Sequence, residues 1–294
     1  MILLWGTLAD GPLMAVSKAL QRQGSPFFFL DQNEVLASRI EFTAGANLRG
    51  RIYMEPREID LEIIQSVYLR PYDFRGLSAI ESAGPASAAW LHAAALDDAI
   101  GCWLELTPAL VVNRPSAMAS NGSKPYQSSL IRAQGFDVPE TLITTDANAA
   151  LEFWEKHGTV IYKSVSAVRS IVSKLKPEHS SRLKNVAHCP TQFQEYIAGT
   201  DYRVHVVGED VFPCEIKSEA DDYRYAGRQG KDVEIRACAA PPELLDRCRT
   251  LALALGLPVA GVDLRLTPEG KWYCFEVNPS PGFTYYEDAT GLPI

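Results

Sequence analysis

The sequence predicts an α/β fold, and two features of the chain favour this class. A βαβ unit opens the chain, because the apolar run Met1–Gly6 is followed by a helical pattern, Pro12–Gly24, and by a second apolar run, Pro26–Leu30. An alternating hairpin, Gly261–Phe283, lies near the other end of the chain. Strand and helix patterns alternate between them. The class is therefore mixed α/β (α+β) rather than all-helical or all-strand.

The composition restricts the class of function. The 294 residues are 47% hydrophobic and carry a net charge of −8, which argues against nucleic acid or a membrane surface as a partner. The six cysteines are scattered without a C-x-x-C pair, so we expect reduced thiols and a cytoplasmic protein. No apolar run reaches transmembrane length, and the N-terminus has no basic segment before its apolar start, so neither a membrane span nor a signal peptide is predicted.

The middle of the chain alternates strand and helix patterns. The predicted strands are Ser66–Arg70, Val111–Val112, Thr141–Thr144, Val160–Lys163, Gln192–Ile197, Tyr202–Val207 and Val211–Lys217, and the predicted helices are Ser87–Leu106, Lys124–Gln134, Ala147–His157 and Pro241–Leu255. The charged, turn-rich stretch 218–230 predicts a mobile loop. We place a domain boundary near residue 114.

The hairpin Gly261–Phe283 carries candidate metal ligands. Glu276 and Asn278 are two residues apart, so on a strand their side chains point to the same face. Pairing across the Pro-Glu-Gly turn brings Asp263 to that face. Two carboxylates and an amide oxygen suit a hard cation such as Mg²⁺. A hairpin with a polar, solvent-facing side is the alternative that these residues leave open.

Seven short motifs follow one another between residues 113 and 283. They are Asn-Gly-Ser-Lys-Pro (121–125), Val-Ile-Tyr-Lys (160–163), Phe-Gln-Glu-Tyr-Ile (193–197), Asp-Tyr-Arg-Val (201–204), Asp-Tyr-Arg (222–224), Gly-Val-Asp-Leu (261–264) and Phe-Glu-Val-Asn-Pro (275–279). The ordered series resembles the ATP-grasp superfamily, and within it the RimK-like carboxylate–amine ligases. Three features resemble, more narrowly, the branch that modifies ribosomal peptides, the graspetide macrocyclases: a glycine-free loop at 164–174, Tyr-Leu-Arg-Pro at 68–71 and Asp-Tyr-Arg at 222–224.

The resemblance implies an ATP-grasp fold, in which two subdomains clasp ATP and a small βαβ domain precedes them. The implied domains are 1–113 for the N-terminal α/β domain, 114–198 for the central subdomain and 199–294 for the C-terminal subdomain with the metal site. It also implies that Asp263, Glu276 and Asn278 are magnesium ligands, with Mn²⁺ able to substitute.

The resemblance further implies a set of nucleotide-binding residues. Lys124 and Lys163 match two lysines that reach nucleotide phosphates, and a compact ammonium suits such oxygens. An ordinary surface lysine is the alternative for each. Gln194-Glu195-Tyr196-Ile197 matches the segment that joins the two halves of the cleft, where backbone groups read the adenine edge. Asp201 matches the acid at the ribose, with a turn aspartate as the alternative.

Three arginines are the candidate catalytic residues. Family position implies that Arg224 meets ATP phosphates, while Arg203 and Arg265 face the acyl phosphate or the acceptor. A planar guanidinium can hold a carboxylate or phosphate through two hydrogen bonds and stabilise developing charge. Lys217 ends a strand whose face points to the same cleft, and it joins the nucleotide-binding set.

The implied activity is that of an ATP- and Mg²⁺-dependent ligase. A carboxylate and an amine, from an amino acid or peptide, would be joined through an acyl phosphate, with release of ADP and phosphate. Positioning and charge neutralisation would supply most of the catalysis. Two alternatives stay open: a nucleotide-binding protein without ligase activity that recognises a partner, favoured by the glycine-free loop, and phosphotransfer to a non-amine acceptor. Self-association is common in the family, so a homo-oligomer is compatible with the resemblance.

Overall fold

The computed structural model describes residues 1–45, 48–165, 172–218, 230 and 232–294. Packing divides the chain into two compact units. Unit 1 comprises Met1–Ala117, Gly256–Pro258 and Gly282–Thr284, and unit 2 comprises Met118–Leu255, Val259–Pro281 and Tyr285–Ile294. The three-domain division with boundaries at residues 113 and 198 stays a prediction.

Strands and helices alternate through both units. The strands are β1 (Ile2–Gly6), β2 (Phe27–Asp31), β3 (Ser38–Thr43), β4 (Arg49–Met54), β5 (Arg57–Asp60), β6 (Ser66–Arg70), β7 (Leu110–Val112), β8 (Thr141–Thr144), β9 (Val160–Ser164), β10 (Ser173–Lys174), β11 (Thr191–Glu195), β12 (Thr200–Val207), β13 (Asp210–Ser218), β14 (Val233–Ala237), β15 (Val259–Leu266) and β16 (Trp272–Asn278). The helices are α1 (Gly11–Gln23), α2 (Ser78–Ala83), α3 (Ala88–Leu106), α4 (Pro115–Met118), α5 (Lys124–Ala133), α6 (Ala147–His157), α7 (Pro242–Ala254) and α8 (Thr284–Thr290). Within the described residues, no helix has the length and apolar character needed to cross a bilayer.

A four-stranded parallel sheet in the order β2-β1-β6-β7 is the main sheet of unit 1. Leu3 and Leu4 of β1 are both fully buried, as expected for a strand covered on both faces. Helix α1 begins where Asp10 accepts a hydrogen bond from the Leu13 amide at 2.8 Å, and it ends at Gly24, whose φ of +65° favours glycine. The predicted βαβ opening is confirmed.

A three-stranded antiparallel sheet, β3-β4-β5, is a second sheet of unit 1 that the sequence did not predict. Its buried apolar side chains are those of Ile52, Met54 and Ile59. Charged residues take many of the other positions, so these short strands show too little periodicity to be told from loops.

A four-stranded antiparallel sheet, β10-β9-β11-β8, lies in unit 2. Phe193 on β11 packs on one face of this sheet, in a core that helix α6 and the 3₁₀ segment Pro177–His188 complete. Because side chains alternate along a strand, Gln192 and Gln194 point to the opposite face, as does Lys163, which pairs with Gln192. The sheet therefore separates an apolar face from a polar one.

A five-stranded antiparallel sheet, β14-β13-β12-β15-β16, is the second sheet of unit 2. Helix α7 packs against β12, β13 and β15 through side chains such as Leu244 and Leu251. The predicted hairpins β12–β13 and β15–β16 are confirmed. The predicted mobile loop at 218–230 falls almost wholly outside the described residues, and β14, which follows it, was not predicted.

Candidate functional site

Two carboxylates face each other across the β15–β16 hairpin. Asp263 pairs in register with Glu276, and Gly261 pairs with Asn278. A β-bulge follows Asp263, where the register shifts by one residue. Each of the two carboxylate side chains is 24% exposed. The hairpin thus brings Asp263 and Glu276 together as the sequence predicts, and their role as metal ligands stays a prediction.

Arg203 lies on β12 directly opposite Asp263. Its Nη1 is 2.5 Å from Asp263 Oδ1, and its side chain is only 6% exposed. The guanidinium passes over Gly261, where an added Cβ would lie 2.5 Å from Nη2. Glycine at position 261 therefore leaves the space that Arg203 occupies, and the arginine is held beside the carboxylate face.

Helix α5 brings Lys124 to the same face. Lys124 Nζ is 3.7 Å from Glu276 Oε2. Gln127, one helical turn later, is buried and exchanges two hydrogen bonds with Val277: its Nε2 donates to the Val277 carbonyl at 2.8 Å, and its Oε1 accepts from the Val277 amide at 3.0 Å. Strand β16 is the edge of its sheet, so Gln127 satisfies edge groups between Glu276 and Asn278.

Lys163 belongs to a polar row on the other sheet of unit 2. Its Nζ lies 3.4 Å from Gln194 Oε1, and Gln194 Nε2 donates to Thr141 Oγ1 at 3.0 Å. Gln192, opposite Lys163, is 2% exposed, and its Oε1 accepts no hydrogen bond from any described residue. Leaving a buried acceptor without a hydrogen bond costs free energy. The polar row places the Lys163 ammonium and the Gln192 amide oxygen on paired residues of neighbouring strands.

The segment that follows β11 is anchored where it leaves the sheet. The Glu195 amide donates to the Glu140 carbonyl at 3.0 Å, and Glu195 Oε1 accepts from the Glu140 amide at 2.8 Å. The Tyr196 amide donates to the Thr159 carbonyl at 3.0 Å. His157 Nδ1 lies 3.5 Å from Glu195 Oε2. These contacts fix the first residues of the predicted base-reading segment.

The far end of that segment is held by Arg265. Its Nε donates to Asp201 Oδ1 and its Nη1 to the Ile197 carbonyl, each at 2.7 Å. Arg265 thus contacts two residues predicted to bind nucleotide, and its predicted contact with the reacting groups is untested.

Of the two remaining predicted residues, only Lys217 lies in the described part of the chain. Lys217 on β13 is 53% exposed and pairs with Glu215, two residues away, at 3.4 Å. Arg224 lies outside the described residues, so its predicted contact with phosphate stays a prediction.

Burial keeps two titratable side chains of the five-stranded sheet neutral, those of His205 and Cys274. His205 on β12 is fully buried, and neither ring nitrogen has a hydrogen-bond partner among the described residues. Desolvation, aided by the charge of Arg203, lowers the pKa of His205 to about 3. Burial raises the pKa of the Cys274 thiol well above its usual value. Neither group is therefore prepared to act as a base or nucleophile at neutral pH.

The donor set fits Mg²⁺. Asp263 and Glu276 supply carboxylates and Asn278 an amide whose Oδ1 is oriented by the Ser280 amide at 2.9 Å. Over the described ranges, no group of three His, Cys, Asp or Glu side chains forms a metal cage. Mg²⁺ commonly uses one or two carboxylates and completes its shell with water and substrate phosphates. Two carboxylates beside a lysine suit that mode of binding.

Together, the lysines, the paired carboxylates and the anchored segment are features of a nucleotide- and metal-binding protein. The model of the RimK-like ATP-grasp domain matches residues 122–294, more than half of the chain. The chain belongs to the RimK-like ATP-grasp family, as the sequence motifs predict, and the predicted fold class is confirmed.

Similar proteins are ligases by name. A probable alpha-L-glutamate ligase of Stenotrophomonas maltophilia is 26% identical over 290 residues, covering 90% of this chain and 94% of the relative. The ATP-grasp ligase PsnB, in a complex with a precursor variant, Mg and ADP, superposes with a TM-score of 0.82 at 24% identity, covering 100% of this chain and 94% of that one. A Chryseobacterium gregarium RiPP-associated ATP-grasp ligase with ADP, leader and core peptide gives a TM-score of 0.82 at 21% identity, covering 98% and 91%.

Proposed function

We propose that the protein is an ATP- and Mg²⁺-dependent ligase that joins a carboxylate to an amine. One observation carries the proposal: Lys124 and Arg203 converge on Glu276 and Asp263 at a hairpin face whose oxygen donors suit Mg²⁺. Membership of the RimK-like ATP-grasp family supports it.

Each part of the site has a role in the proposal. Lys124 and Lys163 bind phosphate oxygens, and the backbone of segment 195–197 reads the adenine edge. Asp201 binds the ribose. Asp263, Glu276 and Asn278 would hold Mg²⁺, which would neutralise phosphate charge. Arg224 would add a guanidinium to the phosphates.

The chemistry proceeds in two displacements. A substrate carboxylate oxygen attacks the γ-phosphorus, the bond to the β–γ bridging oxygen breaks, and ADP leaves with the electron pair. The amine nitrogen then attacks the acyl carbon, the carbon–oxygen bond breaks to release phosphate, and the nitrogen loses a proton. Arg203, buried at the carboxylate face, would hold negative oxygens in place during both steps.

The proposed substrate is an amino acid or a peptide that supplies the carboxylate, with glutamate as the first probe. Two similar proteins support this choice. One relative is named a probable alpha-L-glutamate ligase, and a solved structure of the ATP-grasp ligase PsnB is a complex with a minimal precursor. We expect a cytoplasmic protein.

A product screen tests the proposal. The protein is incubated with ATP, Mg²⁺ and a panel of L-glutamate, glutamate-containing peptides and amines, and ADP, phosphate and product mass are measured. A product lighter than its two substrates by one water, with ADP and phosphate, is expected. Glu276→Gln should abolish turnover with an unchanged circular dichroism spectrum, while Glu209→Gln, at an exposed glutamate of unit 2, should leave it unchanged.

Three outcomes would contradict the proposal. Near-normal turnover by Glu276→Gln would remove the metal assignment. ATP binding without ADP release across the panel would favour a nucleotide-binding protein without ligase activity. A stable phosphorylated product would favour phosphotransfer.

A further inference from the structure

Arg265 joins the segment after β11 to strand β15. It pairs in register with Asp201 of β12, and its guanidinium bonds the Asp201 carboxylate and the Ile197 carbonyl, each at 2.7 Å. The Arg265 and Asp201 side chains are only 14% and 22% exposed. Hydrogen bonds with an ionised donor are stronger than neutral ones, and partial burial limits their screening by water. This one side chain therefore fixes two points of segment 195–201.

The segment also approaches the end of β15 through its backbone. Gly199 has a φ of +152°, and an added Cβ would lie 2.1 Å from the Leu266 carbonyl oxygen. Only glycine permits this approach. Segment 195–201 thus lies in close contact with β15 at Gly199. Arg265 of β15 donates hydrogen bonds to the segment on both sides of that glycine, at Ile197 and at Asp201.

Two aromatic rings lie near the guanidinium. The Arg265 Cζ lies 5.2 Å from the Phe275 ring centroid and 5.9 Å from that of Tyr196, and Lys174 Nζ lies 4.3 Å from the Tyr196 ring centroid. Such cation–π contacts restrict both the ring and the cation. Tyr196, the middle residue of the base-reading segment, is therefore held in the same cluster as Arg265.

We propose that Arg265 is a positioning residue that sets nucleotide affinity and base selectivity. The inference rests on the proposed function, in which the backbone of segment 195–197 reads the adenine edge. Fixing the Ile197 carbonyl fixes the adjoining peptide plane, and with Glu195 anchored at the other end it sets the direction of the backbone groups between them. The same guanidinium orients the carboxylate of Asp201, the proposed ribose ligand.

Calorimetric titration with two diphosphates tests this role without turnover. ADP and inosine diphosphate differ at the purine 6-position, where the amine is replaced by a carbonyl. The wild type should prefer ADP. Arg265→Gln should raise the Kd for ADP roughly ten- to hundredfold, the effect of losing charge-assisted hydrogen bonds, and should narrow the preference for ADP over inosine diphosphate.

Two further variants sharpen the test. Arg265→Lys keeps a cation beside Asp201 but loses the planar fork, so part of the affinity and selectivity should return. Arg236→Gln, at an exposed arginine of β14 that pairs with Glu234, should match the wild type. If Arg265→Gln fails to fold in a thermal unfolding scan, Arg265→Lys carries the same comparison.

The outcomes separate this inference from the proposed function. Wild-type protein that binds neither diphosphate contradicts the proposed function. Wild-type protein that prefers ADP, with unchanged affinity and preference in Arg265→Gln, overturns the role of Arg265 and leaves the proposed function standing.

Discussion

Replacing Gln127 by leucine tests how helix α5 is fixed to strand β16, which carries the proposed metal ligands Glu276 and Asn278. Gln127 is 2% exposed, and its amide bonds both backbone groups of Val277 at 2.8 and 3.0 Å. Leucine is of similar size but leaves the Val277 amide and carbonyl without these partners. A buried group left unsatisfied costs about 1–3 kcal/mol. With two such groups, we expect Gln127→Leu to lower the free energy of unfolding by about 2–5 kcal/mol.

Urea unfolding followed by circular dichroism measures this change. Gln21→Leu is a matched control, since it makes the same replacement on the exposed face of α1, and it should change the free energy of unfolding by less than about 0.5 kcal/mol. Gln127→Leu should also weaken ADP binding in the presence of Mg²⁺, because Lys124 and Glu276 lie on the two elements that Gln127 joins. If Gln127→Leu lowers the free energy of unfolding by less than about 1 kcal/mol, the reasoning is refuted.

Two other replacements test the physical account of unit 2. His205→Leu should remove an acid-dependent loss of stability. The pKa of His205 is about 3 in the folded chain against an ordinary value of 6.5, so the unfolded chain binds the proton first as pH falls. Between neutral pH and about pH 5, the wild type should therefore lose about 2 kcal/mol more of its free energy of unfolding than His205→Leu does, as measured by urea unfolding. An equal loss in His205→Leu would contradict this. Gly199→Ala should lower the melting temperature more than Gly270→Ala, because a Cβ at Gly199 meets the Leu266 carbonyl at 2.1 Å whereas nothing lies within 4 Å at Gly270. Equal shifts would contradict the close approach.

Local patterns explain how much of the fold could be predicted from the sequence. Apolar runs such as that of β1 and glycine stops such as Gly24 are strong signals, because they depend on residues near in sequence. Strands β3–β5 gave no such signal, since their burial depends on neighbours elsewhere in unit 1. The 3₁₀ segment Pro177–His188 was missed because its sequence is mostly polar and completes a core only through Leu183 and Val186.

Local spacing likewise predicted some residues of the candidate site and not others. Glu276 and Asn278 could be placed on one face from a spacing of two, and the turn brought Asp263 opposite. Gln127 could not be found from sequence, since its partner is 150 residues away. The partners of Arg265 could not be found from sequence either. Asp201 lies on the neighbouring strand β12, and Ile197 lies before Gly199, whose backbone conformation no periodicity indicates.

Magnesium-dependent nucleotide binding tests the central claim most directly. The affinity for ADP is measured by calorimetry with Mg²⁺ and with EDTA, in the wild type and in Glu276→Gln. If Asp263, Glu276 and Asn278 form the magnesium end of a nucleotide site, Mg²⁺ will tighten ADP binding in the wild type, and Glu276→Gln will lose most of this gain while retaining the weaker metal-free binding. An equal gain from Mg²⁺ in both proteins would contradict the account.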